Sequence, residues 1–314
     1  MTINNKEIEN RINTFSKNYK NKYGNKVFKL GLSTSLPCPQ RLQNSPCSFC
    51  VADTFIDNEL KNIPEISQQI DFLISKISDK VFKVNQKKAY IAYFQENTSS
   101  YGNLDYLYSL FKQADNHPQI LEIIISTRPD YLSADFLKML KNLSKPVKLE
   151  IGIQTIHDKS LKLFNRNHTQ QDNINAINLL SENSVDTGVH LIIGSPLETL
   201  KDILETIDWV NNQAIISDVK LHNLIVYKDA EISCKLKEQD IINLEQYIQY
   251  LTEIIKNLRP NMIISRLFTS NLNRHQKMLN NFPGIKKHWL NCLKDNLNKN
   301  DIYQGQNYRK IRSY

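Results

Sequence analysis

No apolar run in this sequence approaches the ~18 residues that a membrane-crossing helix needs. The sequence also has no N-terminal basic stretch leading into an apolar segment and a small-residue cleavage site, so no secretion signal is read. These two absences predict a cytoplasmic protein with no membrane partner. No Pro- or Gly-rich linker occurs, which argues against a freely tethered second unit. No dense basic patch and no recognised RNA-binding module is visible. The charge is nonetheless positive, with 40 basic and 32 acidic side chains giving a net +8. A diffuse lysine excess of this size suits a polyanionic partner such as RNA, and equally a solvated surface. Cysteine is scarce, at five in 314 residues. In a reducing compartment such cysteines serve metal binding or catalysis rather than disulfides.

Three of the five lie in LPCPQRLQNSPCSFC, residues 36–50, as Cys38, Cys47 and Cys50, while Cys234 and Cys292 stand alone. The two-residue gap between Cys47 and Cys50 lets both thiolates reach one metal centre. Tetrahedral zinc would want a fourth ligand, from Asp53 or a distant histidine, and the nearest histidine in sequence is His117. A [4Fe–4S] cluster on three thiolates would instead leave one iron open to a small molecule. Spacing alone leaves both open. A thioredoxin-like pair is disfavoured, because no helical pattern begins at Cys47.

Along the chain, strand and helix patterns alternate. A polar opening helix is expected over 5–19 and a strand over 27–33, followed directly by the cysteine loop. A helical period runs through 55–78. Strands near residues 89, 120, 147, 188 and 217 are separated by helices over 104–114, 134–144, 173–183 and 200–213. Such alternation predicts a mainly parallel sheet with helices outside it. Six strands fall short of the eight of a closed barrel, and fit a partial barrel or an open doubly wound sheet. Beyond residue 230 come a long amphipathic helix (244–258), a possible extra strand (262–268) and another helix (285–297).

Within these elements, Glu150, Gly152 and Gln154 share one face of VKLEIGIQT by the period-two rule. A lone buried acid must be paired, since burying it unpaired is costly. STRPD sets Arg128 and Asp130 at the end of an apolar run. Lys220 and His222 alternate with apolar neighbours in VKLHNL, and Arg266 follows the same pattern in ISRLF. The bland readings are a closed loop for the Arg/Asp pair and a satisfied core histidine for His222.

KVFKLGLS, SPCSFC, AYFQENTSSYG, ISTRPDYL, LEIGIQTIHDKSLKLFNRNHT, GVHLIIGSPLET, VKLHNLIVYKDA and IYQG together resemble the radical S-adenosylmethionine (SAM) enzymes. The likeness is greatest to a bacterial group related to the catalytic subunit of Elongator, and it spans roughly residues 20–305. It implies an α/β fold, a partial (β/α)6 TIM-type barrel over 27–229. An N-terminal helical extension (1–26) would precede it, and an α-rich extension (230–314) would pack on it. It further implies that Cys38, Cys47 and Cys50 hold a [4Fe–4S] cluster whose open iron chelates SAM. A reducing partner such as flavodoxin or ferredoxin would then drive cleavage of SAM to methionine and a 5′-deoxyadenosyl radical. Phe49 would shield the adenine side. By the same resemblance Gln95, Glu96, Asn97, Glu150, Gln154, Arg166 and Gly194 contact SAM, and Lys220, His222 and Arg128 act towards substrate. RNA, above all tRNA, is the substrate class that the kinship implies. The alternative from a different class is a non-enzymatic RNA-binding protein stabilised by zinc or an iron–sulfur cluster. The sequence departs from the family pattern in several places. The Cys38–Cys47 gap is short and lacks the usual Gly-rich insert, and SSYG stands where a Gly-Gly-Glu turn is common. Asn167 replaces the glycine of Arg-Gly-His, and SPLE replaces Leu-Pro-Gly-Glu.

Overall fold

The β-branched and aliphatic runs of the sequence pair side by side as β1 (Val27–Leu32), β2 (Ala89–Phe94), β3 (Ile120–Thr127), β4 (Val147–Gln154), β5 (Asp186–Ile193) and β6 (Ile216–Asn223). The short β7 (Ile263–Arg266) adds to β6, so the extra strand expected near 262–268 joins the same sheet. Every neighbour is parallel and the order follows the chain from β1 to β7. The structure is a computed structural model that describes residues 6–51, 58–81, 89–269 and 282–309.

The helices are α1 (Lys6–Glu9), α2 (Phe15–Tyr23), α3 (Pro39–Leu42), α4 (Ile66–Val81), α5 (Leu104–Asn116), α6 (Ala134–Leu140), α7 (Asp158–Leu163), α8 (Gln170–Glu182), α9 (Leu200–Asn212), α10 (Leu244–Asn257) and α11 (Lys286–Lys299). Two expected helices are divided. The opening one breaks at Asn13 and Thr14. The Asn13 amide donates to the Gln304 side chain, 2.8 Å, and Thr14 becomes the N-cap of α2 by accepting from Lys17. Tertiary contact overrides local period there. The second, expected over 55–78, is a 3₁₀ turn (Asn58–Asn62) followed by α4 just beyond Pro64, which is suited to a helix start.

The sheet curls. In a flat sheet five strand spacings of about 4.8 Å would hold β1 and β6 about 24 Å apart. Here Lys29 of β1 and Lys220 of β6 reach the same Glu150 carboxylate on β4, and Lys220 also donates to Tyr93 of β2 at 2.7 Å. This is an open parallel sheet rolled into a partial barrel, followed by C-terminal helices. Apolar side chains such as Leu30, Phe94, Ile123, Leu149, Val189 and Leu221 pack outward against the helices. On the far side of β6 and β7, Tyr247, Phe268, Phe282 and Trp289 stack α10 and α11 onto the sheet.

Helix α2 touches both edge strands, β1 and β7, and so bridges the open side. Its Tyr19 and Tyr23 hydroxyls and Lys22 ammonium donate to the buried Glu122 carboxylate of β3, at 2.6, 2.7 and 2.7 Å. Burial pushes the Glu122 pKa up, but these donors outweigh it and hold the group below its ordinary value. IYQG also has a structural reason. Gln304 accepts from the Asn13 amide and donates to the Arg259 and Met262 carbonyls, 2.8 Å each. Gly305, at φ +80°, lies so close to Pro260 that a Cβ would come within 2.4 Å of its ring. Replacing Glu122 by Ala would leave the hydroxyls of the buried Tyr19 and the half-buried Tyr23 without their acceptor. We expect it to lower stability by about 3 kcal/mol, read as a shifted urea midpoint at unchanged slope. A shift under about 0.5 kcal/mol would mean that α2 is held by packing alone.

Candidate active site

Parallel strands bring all their C-terminal ends to one rim, where barrels of this kind place their chemistry. The cysteine loop follows β1, Gln95 follows β2, Arg128 follows β3 and Gly194 follows β5, so these expected residues share that rim.

The cysteine loop is clamped from several directions. The Ser48 amide donates to the Phe164 carbonyl at 2.9 Å, its hydroxyl to Leu163 O at 2.8 Å, and the Ile232 amide to Ser48 O at 2.9 Å. Asn165 donates to Pro46 O at 2.8 Å, and Asn167 to Gln40 Oε1 at 2.6 Å and Ser45 Oγ at 2.8 Å. Both asparagines have positive φ, +48° and +53°. Asparagine tolerates that conformation better than most side chains, so Asn167 keeps the backbone form open to glycine. Its amide adds three contacts that a glycine could not make. Phe49 sits edge-on to Phe164 within an apolar cluster that includes Ile192, Leu224 and Val226.

Cys47 is buried, and Cys38 and Cys50 are half-buried. Arg166 Nη1 lies 3.3 Å from Cys47 Sγ and Arg128 Nη1 3.6 Å from it, while Arg41 Nη2 lies 3.5 Å from Cys50 Sγ. Burial and the neighbouring Cys47 push the Cys50 thiol pKa up, against Arg41. Arg128 is gripped in a fork by Asp130, at 2.9 and 2.8 Å, and donates to the Arg166 carbonyl. Arg166 also donates to Gly152 O at 2.8 Å, a contact crowded enough that a Cβ on Gly152 would stand 3.2 Å from Nη2. The expected Arg128/Asp130 pair is therefore real, and it faces the cysteine loop.

Below the rim lies an ionic network. Glu150 accepts from Lys29 at 3.1 Å, His190 at 2.9 Å, Ser126 at 3.3 Å and Lys220. Burial raises the Glu150 pKa, but Lys220, Lys29 and His190 together hold it well below the usual range. Burial lowers the pKa of Lys220, and Glu150 opposes that. His190 is driven down to about 4 by burial and by Lys220, so it is neutral at pH 7. The Tyr93 ring lies between two ammonium groups, 4.2 Å from Lys220 Nζ and 5.2 Å from Lys29 Nζ. Gly188 makes room, since a Cβ there would press on Glu150 Cγ and Asp218 Cβ, each at 3.3 Å. His222 lies 5.3 Å ring to ring from His190, and its Nδ1 is 2.8 Å from Thr269 Oγ1.

The remaining expected contacts are spread along the rim. Glu96 is buried and accepts from Ser33 Oγ at 2.5 Å. Gln95 fills the space beside Gly31, where a Cβ would come within 2.7 Å of its amide. Asn97 is exposed at φ +47° and donates to Leu36 O at 2.8 Å. Gln154 ends β4 at φ +70°, after a register shift, and folds back over Gly152. Gly194, at φ +104°, is covered by Ile242, whose Cδ1 would be 2.7 Å from a Cβ there. Asp53 lies outside the described residues. Lys29, Tyr93, His190 and Arg41 were not singled out from the sequence. Lys29 and His190 were legible as lone polar residues at inward parity in apolar strands, whereas Arg41 lies in the four-residue α3, too short to show a period.

The profile of the Radical SAM superfamily matches residues 35–210, more than half of the chain and all three clustered cysteines. The chain belongs to the radical SAM superfamily. Protein YhcC of Escherichia coli K12 is 30% identical over 273 residues, covering 84% of this chain and 85% of that protein. A tRNA uridine(34) acetyltransferase of Methanocaldococcus infernus is 30% identical over 113 residues, 35% of this chain and 21% of that protein. Among solved structures, Methanocaldococcus infernus Elp3 superposes with a TM-score of 0.65 at 16% identity, covering 88% of this chain and 64% of that one. The fold thus resembles that of Elp3, and the chain is an enzyme of the radical SAM class. The non-enzymatic RNA-binding alternative loses its ground. No helix among the described residues is long and apolar enough to cross a membrane.

The residues present suit the iron–sulfur cofactor of this family. Cationic guanidinium groups reach two of the three sulfurs, as thiolates and an anionic cluster require. The three sulfurs are not all within 4.8 Å of one another. For the ionic network, Glu150→Leu would strand two buried ammonium groups and is expected to cost about 3–5 kcal/mol. Adding Lys220→Met should recover at least about 1 kcal/mol of that loss. Strict additivity in denaturation would show that the two charges do not sense each other.

Proposed function

We propose that Cys38, Cys47 and Cys50 hold a [4Fe–4S] cluster that binds and reductively cleaves SAM, and that the product radical serves the modification of tRNA in the cytoplasm. One observation carries this reading: Arg128 and Arg166 converge on the buried Cys47 inside the segment that matches the family. Bound there, the cluster would supply an open iron for the amino and carboxylate groups of SAM, and the electron that divides it into methionine and a 5′-deoxyadenosyl radical.

The chain's own residues do the rest. Arg41, Arg128 and Arg166 offset the negative charge of three thiolates in a partly dry loop. Phe49 and the apolar cluster behind it exclude water from one side, which protects a reactive radical from stray hydrogen donors. Gln95, Glu96 and Asn97 stand where they would meet the methionine end of SAM, and Gly194 and its turn where they would flank adenine. Gln154 and Arg166 border the same space from β4 and the loop after α7. Glu150, buried below them, fixes Lys220 and Lys29 so that the floor of the pocket stays polar and rigid. Lys220, His222 and Arg128 would act towards substrate. A flavodoxin or ferredoxin would deliver the electron. The segment after residue 230, which adds β7 to the sheet edge, would shape substrate access. Three features support tRNA: the net charge of +8, the resemblance to the bacterial group related to Elongator's catalytic subunit, and the tRNA named for the M. infernus relative.

Anaerobically reconstituted protein should contain iron, bind SAM and, once reduced, release 5′-deoxyadenosine. Ala at Cys38, Cys47 or Cys50 should bring release to background, while Cys234→Ala and Cys292→Ala should leave it intact. Zinc in place of iron, or full activity in a Cys47 variant, would end the cluster assignment. Mass spectrometry of tRNA nucleosides from parent and deletion strains tests the substrate. An unchanged profile, with no preference for tRNA over an unrelated polyanion at ~0.15 M salt, would refute tRNA and leave the SAM chemistry standing.

A further inference from the structure

The inward-facing carboxylates of the barrel are mostly engaged. Glu150 is held by Lys29, Lys220 and His190, and Asp218 accepts from Ser265 through Oδ2 while its buried Oδ1 has no hydrogen-bond partner. Lys148 finds Asp186 at 3.3 Å. On the β6–β7 side of the rim this balance fails. Arg266 ends β7, in register with Lys220, and is half-buried. Lys286 opens α11, also half-buried and within the electrostatic reach of Arg266. Among the described residues neither cation has a carboxylate partner or a hydrogen-bond acceptor. Beside Arg266, His222 Nε2 is shielded from solvent and has no partner, while Nδ1 is taken by Thr269. In the tautomer in which the Thr269 hydroxyl donates to Nδ1, Nε2 carries a hydrogen and offers it.

Two half-buried cations and an unused imidazole N–H want the same thing, an acceptor with negative charge. A guanidinium presents a planar fork that matches an oxyanion at two points, and an ammonium adds a point charge. Burial, with Arg266 and then His190 and Lys220, also keeps His222 neutral, so it serves as a donor without adding repulsion. We propose that Arg266, Lys286 and His222 Nε2 form a subsite for an oxyanion of the substrate, a phosphate or a carboxylate, on the β6–β7 side of the barrel mouth. Naming that ligand the substrate rests on the radical chemistry proposed for the same mouth. The subsite would hold the charged end of the substrate away from the cysteine loop and turn an uncharged portion towards it.

Full-length, cluster-loaded protein at fixed ionic strength, titrated with inorganic phosphate and separately with acetate, tests this through ³¹P line broadening and, for acetate, saturation-transfer signals. Saturable binding of one of them is expected, and which one distinguishes a phosphate-bearing from a carboxylate-bearing substrate. Arg266→Gln and Lys286→Gln should each weaken it about tenfold. Arg266→Lys should restore part of the loss, which a merely misfolded variant could not do. Lys201→Gln, on the exposed face of α9, should change nothing. Binding that ignores Arg266→Gln, or saturation by neither anion, would overturn the subsite. 5′-Deoxyadenosine release, measured on the same samples without substrate, keeps the two readings apart. If it persists with no anion bound, only the subsite fails. If anion binding is specific but no SAM is cleaved, only the radical reading fails.

Discussion

Burying the Glu150 carboxylate inside the barrel obliges the surrounding strands to supply its counter-charges, and much of the interior follows from that demand. Lys29 and Lys220 come from β1 and β6 and meet one side chain on β4 because the sheet is rolled, while the neutral His190 of neighbouring β5 adds a hydrogen bond. Gly188 has to be small, since any Cβ there would push on Glu150. Tyr93 is fixed between the two lysines that Glu150 draws together. A fully partnered polar network of this sort gives a pocket floor of settled geometry, so groups above it meet a site that need not reorganise.

The cysteine loop obeys the opposite logic. It has almost no regular structure of its own and takes its shape from neighbours. Phe164 and Leu163 hold Ser48, and two left-handed asparagines hold Ser45 and Pro46. Arg128 and Arg166 approach from β3 and the loop after α7. The loop that carries the chemistry is therefore as rigid as the barrel rim beneath it. The short Cys38–Cys47 gap suits this arrangement, because α3 begins directly after Cys38 and uses up part of the gap in one turn.

Strand parity made the barrel and half of the network legible. VKLEIGIQT announced an inward acid, and six runs of β-branched residues announced six strands. The same rule, applied to Lys29 in VFKLGL and His190 in GVHLII, names two of the partners of Glu150. Two things had no signature in sequence. The register shift before Gln154 reflects how β4 and β5 settle against each other. The break at Asn13 depends on Gln304, whose contact cannot be inferred from either segment alone. The seventh strand was legible in MIISRLF, although only four of its residues form the strand. Asn167 shows the reverse case, in which a residue that looked like a loss of glycine turns out to keep the conformation and add hydrogen bonds.

Gln304 has a bearing on how the molecule comes together and how it breathes. Its bond to Asn13 joins positions 291 residues apart, and its other bonds secure the segment leading into β7. Closing so long a loop is entropically expensive, so such a contact forms late, after the local βα units have condensed. In the native state the same latch is a natural place for sub-global opening. If it lets go, α2 and β7 can part from the edges while β1 through β6 remain paired, and the barrel loosens at its seam rather than at its centre.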